Sequence, residues 1–442
     1  MVSGPVAQLQ ETIARRWREI EQCFDTEAEW RSFSGKLLPL LRQLDEPDDN
    51  VAEVTKRIEQ LFSTSPAASE LIKPGPAAPT SRPRSRGGLN SPWADEGAKD
   101  AIAPEPPPVP ARHTLVNVLY GTDRVPLTTG DGPPRYNNQS AKSLSLGAAT
   151  VSIPDRNTHI KGRLERPRWY RLEFRENPDK HVVIASLEQI DEAQFVARAG
   201  AARKSDGSND EALLFIHGYK VGFEDSIRRA AQFAADLEFP GLAIAYSWPS
   251  QNSPFGYSAD ANVSESSMFR LAEFIGLIRS KLGLQRLHVV AHSMGNRVLA
   301  RALNQHVLTV PPGPGATLNQ VVFAAPDIDP ATFGGFAEVF AKSCERCTLY
   351  ASARDMALTA SKWIYGRARA GAAASAVAEY GIDAIDASKV DASMIGHSYF
   401  SDNRVLLQDL SELLFSGRGP DERYGLTSIP VGGSHQYWQF DA

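Results

Sequence analysis

The sequence predicts an α/β fold, a mostly parallel sheet with helices on both faces, preceded by a small all-helical module. Three observations predict it. From about residue 113 onward, short apolar runs alternate with helix-like stretches, a rhythm that builds parallel sheets covered on both sides. One of these runs, residues 213–216, ends in His217-Gly218. Another, residues 287–290, passes through Ala291-His292-Ser293-Met294-Gly295 into residues 296–303, which read as a helix.

The elements follow in chain order. Between about residues 5 and 72, apolar side chains recur at three-four spacing: Leu9, Ile13, Trp17, Ile20 and Phe24; then Phe33, Leu37, Leu40, Leu41 and Leu44; then Val51, Val54, Ile58 and Leu61. This predicts about three helices, each with one apolar face to bury, although Pro39 sits awkwardly in the second group. Residues 73–112 change character. Proline recurs throughout, and Ser81-Arg82-Pro83-Arg84-Ser85-Arg86 lies near the middle. Such a composition makes no core and reads as a tether. Domain limits of 1–72, 73–112 and 113–442 follow. In the last, strands are expected at 114–120, 169–174, 181–185, 213–216, 242–246, 287–290, 320–324 and 346–350, with a turn-rich loop at 128–134. Residues 247–261, rich in serine, proline and aromatics, read as a pocket wall, a lid or an ordinary surface loop before a helix starting near Ser264.

Composition narrows the function. With 442 residues and 42% hydrophobic content, the chain can bury a sizeable core. A net charge of −5 argues against a general polyanion-binding surface, so no nucleic acid is expected. Three cysteines (Cys23, Cys344 and Cys347) form no disulfide framework. Cys344 and Cys347 have the spacing of redox or zinc motifs, but no second Cys or His pair accompanies them. Neither a signal peptide nor an apolar run of membrane-spanning length is visible, so a cytoplasmic location without a transmembrane segment is expected. Neither a phosphate-binding Gly-x-x-x-x-Gly-Lys-Ser/Thr loop nor a His-Glu-x-x-His motif occurs, and nothing calls for a cofactor or metal.

Strand, sharp turn on serine and helix together describe a nucleophile elbow, in which small residues must flank the serine two positions away; here they are Ala291 and Gly295. The segments Phe215-Ile216-His217-Gly218-Tyr219, Tyr246-Ser247-Trp248-Pro249-Ser250, Ala291-His292-Ser293-Met294-Gly295, Ala325-Pro326-Asp327-Ile328-Asp329 and Gly396-His397-Ser398-Tyr399-Phe400 resemble the alpha/beta-hydrolase superfamily. The closest likeness is to a bacterial, mostly uncharacterised serine-hydrolase branch with a lipase or esterase character. The resemblance spans roughly residues 113 to 415 and implies hydrolysis by a serine nucleophile, without identifying a substrate.

A serine hydroxyl needs a base, and the base needs an orienting acid; in this fold the chain order is serine, acid, histidine. Ser293 is the expected nucleophile. Asp355, at the end of the run through Tyr350, is the expected acid, with Asp327 and Asp329 as rivals one strand earlier; as a bland alternative, Asp355 caps a helix. His397, in a late loop, is the expected base ahead of His435. His292 should point away from its neighbour Ser293, and His217 should shape the loop after its strand. Backbone N–H groups of Met294 and Tyr219 are the expected oxyanion donors. An ester or lipid substrate is expected, and the helical module could recruit a protein partner or hold the enzyme inactive. The competing reading is a catalytically silent scaffold with a hydrolase shape.

Overall fold

A computed structural model describes residues 20, 23, 24, 29, 32, 33, 36, 37, 40, 51–65, 69, 112–127, 133–167, 176–203, 210–251, 257–309, 318–353, 369–390 and 403–441. They fall in two compact units, one within residues 1–110 and one within 111–442. In the first unit, α1 (Val51–Ser63) carries Ile58 and Phe62 on one face. Both are buried, as are Ile20, Phe33, Leu37 and Leu40. The Phe33 and Phe62 rings meet edge to face with centroids 5.2 Å apart. The proline-rich stretch expected to be a tether lies outside the described residues.

The second unit is built on one sheet of 11 strands in the order β10-β11-β9-β8-β7-β6-β4-β5-β1-β2-β3. The strands are β1 (His113–Leu127), β2 (Arg135–Pro154), β3 (Val183–Ile190), β4 (Glu211–Ile216), β5 (Leu242–Ser247), β6 (Arg286–His292), β7 (Leu318–Ala324), β8 (Cys344–Ala351), β9 (Asp383–Asp386), β10 (Leu426–Gly432) and β11 (His435–Phe440). From β11 across to β1 every neighbouring pair is parallel. Antiparallel hairpins finish both edges.

The central strands are short and apolar because both faces are covered. In β4, Ala212, Leu214 and Ile216 enter one core while Leu213 and Phe215 enter the other, the period-two alternation of a strand. The helices of this unit are α2 (Glu192–Ala202), α3 (Phe223–Asp236), α4 (Tyr257–Ser266), α5 (Met268–Lys281), α6 (Gly295–Thr309), α7 (Pro330–Gly334), α8 (Ala337–Ser343) and α9 (Asn403–Ser416). Apolar residues of α5 and α6 fill the first core, and those of α3 and α9 fill the second. His159, in the loop after β2, is clamped between Glu165 and the Asp236 carboxylate of α3 at 2.9 and 2.7 Å.

Several sequence expectations change. The loop expected at 128–134 lies mostly outside the described residues, between β1 and β2, and β2 itself is not predicted by the sequence pattern. Its N-terminal half, Arg135-Tyr136-Asn137-Asn138-Gln139-Ser140, is polar and carries no strand pattern of its own; pairing with β1 makes it a strand. The glycine-containing tail beyond α9 is the hairpin β10–β11, because Gly432 and Gly433 supply the positive φ angles of its turn. The helix placed near Ser264 begins earlier, at Tyr257. Cys344 and Cys347, at the start of β8, are bonded to each other as a disulfide. The strand expected at 169–174 lies outside the described residues.

Candidate active site

Among the described residues four non-glycine residues have positive φ, and three of them stand just beyond the C-terminal ends of adjacent strands: Lys220 (φ 59°) after β4, Ser293 (φ 49°) after β6 and Ala325 (φ 47°) after β7. Each such backbone costs on the order of 1–3 kcal/mol and persists only when its surroundings over-determine it. Strain gathered at the C-terminal edge of an open parallel sheet marks the place where such folds bind ligands.

Ser293 is the best-held of the three. Its N–H donates to the Ala324 carbonyl at 2.9 Å. Its own carbonyl accepts from the Asn296 N–H at 3.1 Å, the Asp327 N–H at 3.3 Å and the Asn296 side-chain amide at 2.9 Å. The turn is tight enough to exclude side chains nearby. A Cβ on Gly295 would stand 2.3 Å from the His217 carbonyl oxygen, and one on Gly218 would stand 2.8 Å from the His292 ring and 3.0 Å from the Ser293 Cβ. The His217-Gly218 loop therefore lies directly on the elbow. Met294 immediately precedes α6, at the end where the first amides of a helix lack intrahelical acceptors.

His217 is a structural member of this arrangement. It is buried and stacks flat on Trp248 with ring centroids 5.2 Å apart. Trp248 Nε1 donates to the His217 carbonyl at 2.7 Å. Nδ1 and Nε2 of His217 face the Gly218 and Trp248 carbonyls at 2.8 and 3.1 Å. Burial, reinforced by the nearby Arg124 cation, pushes its pKa down to about 3. The ring is thus neutral, one of the two contacts is a hydrogen bond, and it is a poor proton acceptor.

The rival acids have other partners. Asp327 bonds Tyr257 Oη and pairs with Arg297 at 3.4 Å and Arg369 at 3.2 Å. Asp329 caps α7, accepting the Ala331 and Thr332 N–H groups. Tyr257, Arg297 and Arg369 had gone unnoticed in the sequence, because nothing in their local pattern sets them apart. His435 opens β11, which runs parallel to the central strands, so it lies at the end of the sheet opposite Ser293. Asp355 and His397 lie outside the described residues; β8, which precedes Asp355, and α9, which follows His397, are described.

A second layer holds the loop after β4. Asp260, on α4, accepts Ser250 Oγ at 2.6 Å and the Gln251 N–H at 2.7 Å. Burial raises its pKa, opposed by these bonds, by the Lys220 N–H and by the Arg124 charge. The Tyr219 ring packs edge to face on Tyr257 at 5.3 Å, and burial pushes its phenol pKa up.

A mostly parallel sheet with helices on both faces and a strained serine between strand and helix define an alpha/beta hydrolase. Residues 197–414, close to half of the chain, match a family model described as alpha/beta hydrolase of unknown function (DUF900). The chain has the alpha/beta-hydrolase fold. No curated protein matches it.

Proposed function

We propose that the protein is a serine hydrolase that cleaves a carboxylic ester of a lipid or small molecule through an acyl-enzyme. The observation that carries this reading is the left-handed backbone of Ser293 at the end of β6, which turns the serine out of the strand before α6 begins. His397 takes the hydroxyl proton as Ser293 Oγ attacks the ester carbonyl carbon, and Asp355 orients His397. The Met294 and Tyr219 N–H groups hold the oxyanion that forms. The carbon–oxygen bond to the alcohol breaks, and His397 returns the proton to the departing alkoxide. Water then attacks the acyl-enzyme, His397 takes its proton, and that proton goes back to Ser293 as the acid leaves. Support for a base other than His217 comes from that ring's neutral, carbonyl-facing burial.

The test is labelling of wild-type and Ser293→Ala protein with a fluorophosphonate, beside an ester series of increasing acyl length. Wild type should label and turn over; the variant should do neither while keeping its circular dichroism spectrum. Undiminished hydrolysis by the variant would sink the assignment. A wild type that never labels would favour a silent hydrolase-shaped scaffold.

A further inference from the structure

Strand β1 contains an irregularity with a purpose. Its pairing with β2 shifts register between Thr122 and Arg124 and again between Arg124 and Pro126. A bulge lets two successive residues turn inward and re-aims a side chain, often beside an active site. Both Asp123 and Arg124 are buried, at 1% and 0% exposure. Asp123 anchors the bulge by accepting Tyr246 Oη at 3.0 Å and Ser267 Oγ at 2.6 Å. Thr122 Oγ1 donates to the Ser247 carbonyl at 2.6 Å and accepts the Arg124 N–H at 3.1 Å.

Arg124 then spans the two loops that follow β4 and β5. Its Nε donates to Ser247 Oγ at 3.0 Å, Nη1 to Asn138 Oδ1 at 2.7 Å and to the Ser250 carbonyl at 3.2 Å, and Nη2 to the Val221 carbonyl at 2.8 Å. Ser250 Oγ accepts the Val221 N–H at 3.3 Å while donating to Asp260. Asp260 in turn receives the Lys220 N–H. Residues 220 and 221 are therefore gripped from both sides, and the left-handed Lys220 between Tyr219 and Val221 is what the grip enforces. A planar guanidinium with a fixed fork suits this task; an ammonium cannot reach four acceptors in that geometry.

We infer that Arg124, delivered by the β1 bulge and relayed through Ser250 and Asp260, is a positioning residue that sets the Tyr219 N–H of the oxyanion hole. The inference rests on the proposed hydrolase chemistry. It also makes the β1–β2 hairpin, which lies outside the family-matched residues 197–414, part of the working site.

The experiment compares full-length wild type with Arg124→Lys and Ser250→Ala for ester kcat and KM, fluorophosphonate labelling rate, pH profile and thermal midpoint. A displaced oxyanion donor costs roughly 10- to 100-fold in rate. Arg124→Lys should lower kcat and the labelling rate by about that factor, with KM within about threefold and an unshifted pH profile. Ser250→Ala should lose about tenfold in the same pattern. Equal rates for folded Arg124→Lys and wild type would overturn the inference. Should Arg124→Lys fail to fold, Ser250→Ala decides, and unchanged kcat there overturns it as well. A loss carried in KM alone would assign these residues to substrate binding and overturn a positioning role. If wild type neither labels nor turns over, the hydrolase reading falls first, and the inference with it.

Discussion

At Ser293 the chain spends stability on geometry. A serine in left-handed backbone is tolerated because three donors converge on its carbonyl and its own N–H is bonded to β7. Gly295 is what leaves room for this. Gly295→Ala places a Cβ 2.3 Å from the His217 carbonyl, so the His217-Gly218 loop must move. We expect a loss of about 1–3 kcal/mol in stability, read as a lower thermal midpoint, together with slower fluorophosphonate labelling. The sharp turn at Ser293 was legible in the sequence because it restricts its neighbours to small residues, and that restriction is local. Arg124 was not legible. Its role depends on a bulge, and on loops about 100 to 125 residues away in sequence, neither of which leaves a mark in the residues beside it.

The helix-and-strand alternation of the central sheet could be read directly, since buried parallel strands are short, apolar and bounded by loops. The edges could not. β2 and the β10–β11 hairpin are polar along much of their length and become strands through their partners, in line with the context dependence of strand propensity. One loop near that edge has a pH signature. His159 bridges Glu165 and Asp236. Burial disfavours its charged form, but the bonds to Asp236 and Glu165 overcome this and raise its pKa to about 9. A raised histidine pKa means that the folded state binds the proton more tightly. The clamp is therefore at full strength below about pH 6.5 and is lost as pH rises through about 9, a change on the order of 3 kcal/mol. Urea midpoints should fall between pH 6 and pH 9.5 in wild type, and His159→Gln should flatten this part of the slope. An identical slope in the variant would remove His159 as its cause.

Across the whole chain, every strand of the sheet lies in the unit within 111–442. A chain beginning at Ala111 should therefore retain fluorophosphonate reactivity. Rates within about threefold of the full chain would leave recruitment of a partner as the proposed role of residues 1–110, whereas a large increase on truncation would indicate that they restrain the site. Among the described residues no helix is long and apolar enough to cross a membrane. The disulfide at the start of β8 adds information of a different kind. It joins Cys344 to Cys347, enclosing two residues, and so short a loop removes little freedom from the unfolded chain. A reducing cytosol keeps such thiols apart and an oxidising compartment keeps them joined, so free-thiol titration of the protein as isolated from its cells would report the redox state of the compartment that holds it.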